Sequence, residues 1–283
     1  MTGELSRRRA FRLGGVVLGG GIAAGVAVGT SNASTETNAA ATDPTAATDW
    51  IRLPVITANI GRKHLDQRDR AIHDVRYGDA GYLPLVGWQE IGEGDTGEPA
   101  MIAKHFGSRY QNEFLRSDKA PREPMSIPKV WKVISARSTF VHHGIAKVTP
   151  SRWINEVVVQ HAQHTDLRFA MLNTHYIANA YNGDRRHDLQ ALWDKHKRIH
   201  KERVLAHHQQ GRLVIWTADT NRRDYTTATG RAAERQVFHN GIDRINWLPG
   251  TDRVRLELHN TKTVDMHVDE HDAHVAIFQI RLA

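Results

Sequence analysis

The chain has 283 residues of ordinary globular composition apart from 18 His and 7 Trp, and it carries a formal charge of +7. That length can bury one sizeable core or two small ones. The lack of cysteine excludes disulfides, a lipid-modified N-terminal cysteine and thiolate metal sites.

The first 33 residues hold four of the 38 basic and one of the 31 acidic side chains, so the remaining chain stands near +4. A mildly basic surface is compatible with a phosphate-bearing partner without being diagnostic. Arg7-Arg8-Arg9 before Phe11 leads into an uncharged, Gly-rich run from Leu13 to Gly29, with small residues after it. This order describes an export signal of the twin-arginine type and predicts a secreted protein. An uncleaved membrane anchor is the alternative, but 17 residues with seven Gly are short for a span of about 20 apolar residues. Residues 34–48, rich in Ala, Thr and Asn, read as a spacer, so the division is 1–48 and a single domain over 49–283. No internal repeat stands out.

Along the mature chain, strands are expected over Leu53–Ile60 and Tyr82–Trp88, with helices over Asp66–Tyr77 and Glu98–Phe106. Arg116–Pro128, with three Pro and many charges, reads as a loop. Trp153–His161 and Leu167–Asn173 flank a His164-Thr165-Asp166 turn and predict a hairpin. A polar helix follows over about Asp184–His208, then strands over Arg212–Thr217, Gly241–Trp247, Val254–Leu258 and Val275–Leu282. Helices among many strands and hairpins predict an α/β protein with a two-layered β core.

Chemistry-bearing side chains recur at the ends of these strands: Asn59, Gln89-Glu90, Asn173-Thr174-His175, Asp219-Thr220-Asn221 and the segment Asp269-Glu270-His271-Asp272. Each is weak alone; Asp219-Thr220-Asn221 by itself would be read as a turn. Together on one sheet edge, carboxylates, amides and two histidines suit metal-assisted phosphoester hydrolysis.

The joint order, with Ile242-Asp243-Arg244-Ile245 between the last two, resembles the endonuclease/exonuclease/phosphatase superfamily over roughly Leu53 to Leu282. That group contains pancreatic-type deoxyribonucleases, abasic-site endonucleases, bacterial sphingomyelinases and inositol polyphosphate phosphatases. The resemblance implies a four-layer α/β sandwich, two packed and mainly antiparallel sheets flanked by helices. It implies that Glu90, with Asn59 and the acidic Glu270, serves a Mg²⁺ ion, Mn²⁺ or Ca²⁺ being alternatives. A hard-oxygen cluster suits such ions. It further implies that Asp219 orients or deprotonates the attacking water, that Asn221 and His175 contact the phosphate or leaving group, and that Asp243 fixes the tautomer of His271. Arg222 and Arg223, directly after Asn221, are placed to steer phosphates.

Departures from the pattern are Asp269-Glu270 where the family has Ser-Asp, Ala218 where it has Gly, and no clear glutamate to support the first His, for which Glu113 and Glu156 are the candidates. They keep open a catalytically silent binding module. Nucleic acid is the expected substrate. A phospholipid headgroup is the alternative, with Ile245–Pro249 the nearest thing to a membrane loop. No stable protein partner is implied. The pairs His142-His143 and His207-His208 read as solvated loop and helix residues rather than zinc ligands, and Trp88, Trp216 and Trp247 as core.

Overall fold

In the computed structural model the described residues are 48–61, 65–79, 81–92, 97–117, 120, 122–147, 149–180, 186–267 and 271–283. The expected export signal, most of the spacer, Asp184 and Asp269-Glu270 lie outside them.

The apolar run Ile51–Asn59 forms β1. Its Pro54 precedes Val55, where parallel pairing with β2 (Leu85–Gln89) begins, so the missing N–H breaks no rung of that ladder. Between these strands a 3₁₀ turn over Leu65–Gln67 leads into α1 (Arg68–Tyr77), and α2 (Glu98–His105) follows β2. The region expected to be a loop contributes a strand, β4 (Met125–Pro128), which pairs with β3 (Tyr110–Glu113) and β2. Every residue of β4 is buried, and its ladder outweighs a local sequence dense in Pro and charge.

β5 (Trp131–His142) went unrecognised in the sequence because it is an edge strand with nine exposed or half-exposed positions in succession, so no apolar alternation marks it. The expected hairpin is β6 (Arg152–His161) and β7 (Arg168–His175). The polar helix becomes α3 (Gln190–His208), followed by β8 (Leu213–Asp219), the short β9 (Arg235–Gln236), β10 (Asp243–Leu248), β11 (Val254–Val264) and β12 (Ala273–Leu282).

Two six-stranded sheets result, ordered β11-β12-β1-β2-β4-β3 and β5-β6-β7-β8-β10-β9. Both repeat one topology: a single parallel pair, β1 with β2 and β7 with β8, set among antiparallel neighbours. No sequence repeat announces this. Leu53, Val55, Leu85, Phe278, Val157, Phe169 and Ile215 interleave between the sheets. Ala71, Ile72 and Val75 of α1 and Ile102 of α2 cover the outer face of the first sheet, while Trp193 and Val204 of α3 cover the second. The expected four layers are therefore present.

α3 buries His196, His200 and His207 alongside Trp193 and Val204, at spacings of three and four. Its core-facing stripe is written largely in histidine, which is why it reads as polar. His207 and His142 are consequently buried, contrary to the solvated reading: His207 meets Glu156 at 3.0 Å, and His142 Nδ1 accepts the Gly144 N–H at 3.0 Å.

Candidate active site

Both parallel pairs end on the same edge, as strands that run side by side must end together. Register places Asn59 beside Gln89 and His175 beside Asp219, and the antiparallel start of β10 sets Asp243 opposite Asp219.

Below that edge the sheets are joined by polar groups. Gln89 Nε2 donates to Asn173 Oδ1 at 2.7 Å, Thr217 Oγ1 donates to the same oxygen at 2.9 Å, and Asn173 Nδ2 donates to the Trp88 carbonyl at 2.7 Å. Gly87 makes room for them: a Cβ there would lie 2.6 Å from Asn173 Oδ1 and still closer to Thr217 Oγ1. Gln89 and Asn173 thus position the two sheets, and their neighbours Glu90 and His175 face each other across the join, with His175 Nε2 3.8 Å from Glu90 Oε1.

Asp219 is the hub. Its Oδ1 accepts the Asn221 backbone N–H at 2.7 Å, and its Oδ2 accepts Asn59 Nδ2 at 2.8 Å and lies 3.4 Å from His175 Nε2. Asn221 Nδ2 meets His175 Nε2 at 3.1 Å and donates to the Tyr176 carbonyl at 3.0 Å. With the amide donating, that imidazole nitrogen accepts, and the ring proton sits on Nδ1. Glu90 and Asn221 both have positive φ, 59° and 50°. Asn tolerates this conformation; for Glu it is a local cost of the kind that collects at functional sites.

On the other side, His271 Nδ1 donates to Asp243 Oδ2 at 2.9 Å. Ligand atoms of Asp219, Asp243 and His271 all fall within 4.8 Å of one another. Burial and then the charge of Asp243 push Asp219 up to about 7, against His271, the Asn221 N–H and Asn59. Burial tends to lower His271, but its hydrogen bond to Asp243, the charge of Asp243 and those of Asp219 and Glu90 outweigh it and raise the imidazole to about 9. His175 goes the other way, held well below its usual value by burial and by the charges of Arg152 and Arg122. The site therefore holds an imidazolium, a neutral imidazole and a carboxyl poised near neutrality.

The structure thus brings Asn59, Glu90, His175, Asp219, Asn221, Asp243 and His271 to one place; Glu270 lies outside the described residues. Neither candidate for the supporting glutamate is next to His175. Glu156 pairs with Arg203 and His207 on the α3 face, and Glu113 sits in β3 opposite Met125. Arg222 lies over the Trp193 ring at 5.1 Å and its Nη2 pairs with Asp224 at 2.7 Å, while Arg223 is exposed. Sequence reading missed Arg244 as a scaffold. Fully buried, it donates to the carbonyls of Arg223, Tyr225, Phe238 and Asn240 and so staples the loop after Asn221. It also missed the buried Arg122 and Arg152.

For a divalent ion, Glu90, Asn59, Asp219 and Asp243 form a hard-oxygen donor set, and Asp243 Oδ1 is buried with no hydrogen-bond partner. This set fits Mg²⁺, Mn²⁺ or Ca²⁺.

No family model matches the sequence, and no curated protein aligns with it significantly. Solved structures do match. An endonuclease/exonuclease/phosphatase family protein from Bacteroides thetaiotaomicron has a TM-score of 0.58 at 10% identity, covering 82% of this chain and 98% of that one. The chain has the endonuclease/exonuclease/phosphatase fold. Truncated Caenorhabditis elegans TDP2 matches with a TM-score of 0.54 at 18% identity, over 82% of this chain and 98% of that chain. ANGEL2, described as a 2′,3′-cyclic phosphatase, matches with 0.59 at 11% identity, over 81% and 95%. At such identities the likeness speaks for the fold; the chemistry must be argued from the site.

Proposed function

We propose that the chain is an exported, divalent-metal-dependent phosphodiesterase whose first substrate class is nucleic acid. The observation that carries this reading is the pairing of Asp219, poised near neutrality, with the His271 imidazolium inside one 4.8 Å cluster. General acid–base catalysis asks for such a separation of proton affinities.

In this reading ionised Asp219 takes a proton from water as the water oxygen bonds to phosphorus. The bond from phosphorus to the leaving oxygen breaks, and that oxygen takes a proton from His271 Nε2, while Asp243 holds Nδ1. For Asn221 and His175 to hold the phosphoryl oxygens, the Asn221 amide exchanges its bond to His175 Nε2 for one to the phosphate, and the ring carries its proton on Nε2. When bound, Mg²⁺ on Glu90 and Asn59 would supply charge neutralisation at the phosphate. Export rests on the twin-arginine-like N-terminus.

The membrane-lipid alternative is weakened by the place of Ile245–Pro249. Ile245 and Leu248 are buried in β10, and Trp247 packs on Phe278 at 5.3 Å. That leaves no apolar loop there to enter a bilayer.

The test is to incubate the purified protein with supercoiled plasmid, structured RNA and sphingomyelin vesicles in Mg²⁺ and in EDTA. The proposal expects Mg²⁺-dependent nicking or degradation, reduced about 10²- to 10⁴-fold in Asp219→Asn. Turnover of lipid alone would keep the site and change the substrate. No turnover by folded protein would leave the silent binding module.

A further inference from the structure

The core-facing stripe of α3 carries two imidazoles that the proposed chemistry leaves unused. His196 and His200 are both fully buried, and His196 Nδ1 and His200 Nε2 have no hydrogen-bond partner among the described residues. An apolar side chain would fill the stripe without leaving a polar atom dry. What the other nitrogen of each ring touches is therefore the reason to look further.

Those nitrogens hold the two residues that flank His175. Thr174 Oγ1 donates its proton to the Trp153 carbonyl at 2.7 Å, so it accepts from His196 Nε2, also at 2.7 Å. The Tyr176 hydroxyl donates to the Tyr225 hydroxyl at 3.1 Å and accepts from His200 Nδ1 at 2.9 Å. The His196 ring also lies flat on the Tyr176 ring, 3.9 Å between centroids and 10° between planes. Both imidazoles are thus donors in a fixed tautomer, and a second proton on either would be a buried N–H with no acceptor among the described residues. Burial accordingly holds His196 well below its ordinary value and His200 down at about 3.

Side chains alternate across a strand, so Thr174 meets α3 while His175 faces Asp219 and Glu90. The His175 ring itself is lightly held. Its Nδ1 is buried without a partner among the described residues, and its Nε2 meets the Asn221 amide at 3.1 Å, a contact given up when that amide turns to a phosphate. The backbone of Thr174–Tyr176 therefore sets where the ring stands. Tyr176 also ties that backbone to the rest of the site: its N–H donates to the Asp219 carbonyl at 2.9 Å, and its carbonyl accepts Asn221 Nδ2 at 3.0 Å. On the same stripe of α3, Trp193 Nε1 donates at 3.0 Å to the carbonyl of Thr220, between Asp219 and Asn221.

We propose that His196 and His200 are positioning residues for the reaction at this site: from α3 they hold Thr174 and Tyr176, and through them the His175 imidazole. This rests on the phosphoester reading above and adds to it two histidines that touch no substrate.

The test uses the full chain and five variants. His196→Phe keeps a ring on Tyr176 and removes the donor, His196→Gln keeps a donor at the reach of Nε2, and His200→Phe removes the other donor. Thr174→Val deletes the His196 contact from the strand side, so it serves if a Phe variant fails to fold. Lys201→Ala, on the exposed face of α3, is the control. Rates are measured on plasmid or RNA, at a temperature where circular dichroism shows each protein folded. His196→Phe, His200→Phe and Thr174→Val should each lower kcat about tenfold or more with KM little changed, since a misplacement of about 1 Å can cost about 10²-fold. His196→Gln should recover most of that loss, and Lys201→Ala should lose nothing. In a His175→Ala background His196→Phe should cost little further, because the group it positions is gone. By NMR without substrate, the His175 ring signals should move in His196→Phe and stay in place in Lys201→Ala. Unchanged kcat in the folded variants, a loss equal in both backgrounds, no recovery in His196→Gln, or unmoved His175 signals would each overturn the proposal. If wild type cleaves no phosphoester while the His175 signals still move in His196→Phe, the grip on His175 stands and the hydrolase reading falls instead.

Discussion

Replacing Asp243 by Asn separates charge from orientation at His271. The amide oxygen can still accept from Nδ1, so the 2.9 Å contact has a substitute, but the negative charge is gone. Asp243 supplies the two largest effects raising His271 to about 9, and burial opposes them. Without that charge the imidazole should fall to its ordinary value near 6.5 or below, a loss of about 3 kcal/mol of preference for the charged ring. At about pH 7.5 the charged fraction then drops from nearly all to roughly a tenth. If the imidazolium donates the proton, turnover falls about tenfold there and recovers toward about pH 5.5. Asp219 should move down as well, since the charge of Asp243 is the second of the effects raising it. The assay pairs an NMR titration of the His271 ring with a pH–rate profile of both proteins. A ring still titrating near 9 in the variant would refute the assignment of the field to Asp243. A deficit equal at every pH would show that orientation, not charge, was lost.

Two further predictions concern the scaffold. His200 is fully buried, and burial lowers it to about 3, with its Nδ1 2.9 Å from the Tyr176 hydroxyl. A depressed imidazole stabilises the fold above the unfolded value near 6.5, and that contribution is lost as pH falls from about 6.5 toward 3. Between about pH 7.5 and pH 5 the loss is roughly 2 kcal/mol, so His200→Gln should lose that much less stability than wild type across the interval in urea unfolding. Parallel pH dependences in the two proteins would show that His200 is not kept neutral. Gly87→Ala should cost about 1–3 kcal/mol by forcing the polar seam under the site apart, and should reduce turnover through Glu90 and His175. An unchanged urea midpoint would mean that the sheets do not meet so closely at Gly87.

Local chemistry determined much of this protein without any coordinates. Apolar runs ending in Asn59, Glu90, His175 and Asp219 are strands because they must be buried, and a polar group at the end of a buried strand must emerge at an edge. Periodicity could not see β5, whose exposed edge face lacks alternation, nor β4 inside a Pro-rich stretch, nor the core-facing histidines of α3. Tertiary structure alone decided which residues touch. Asn59 and Asp219 are hydrogen-bonded across 160 positions, and the proton affinities of Asp219, His175 and His271 depend on neighbours from other strands, Asp243 and Arg152 among them. It alone also left Arg122 and Arg152 buried and unpaired. Residue type sets what a side chain can do; burial and distance set its charge and its partner, and those belong to the fold.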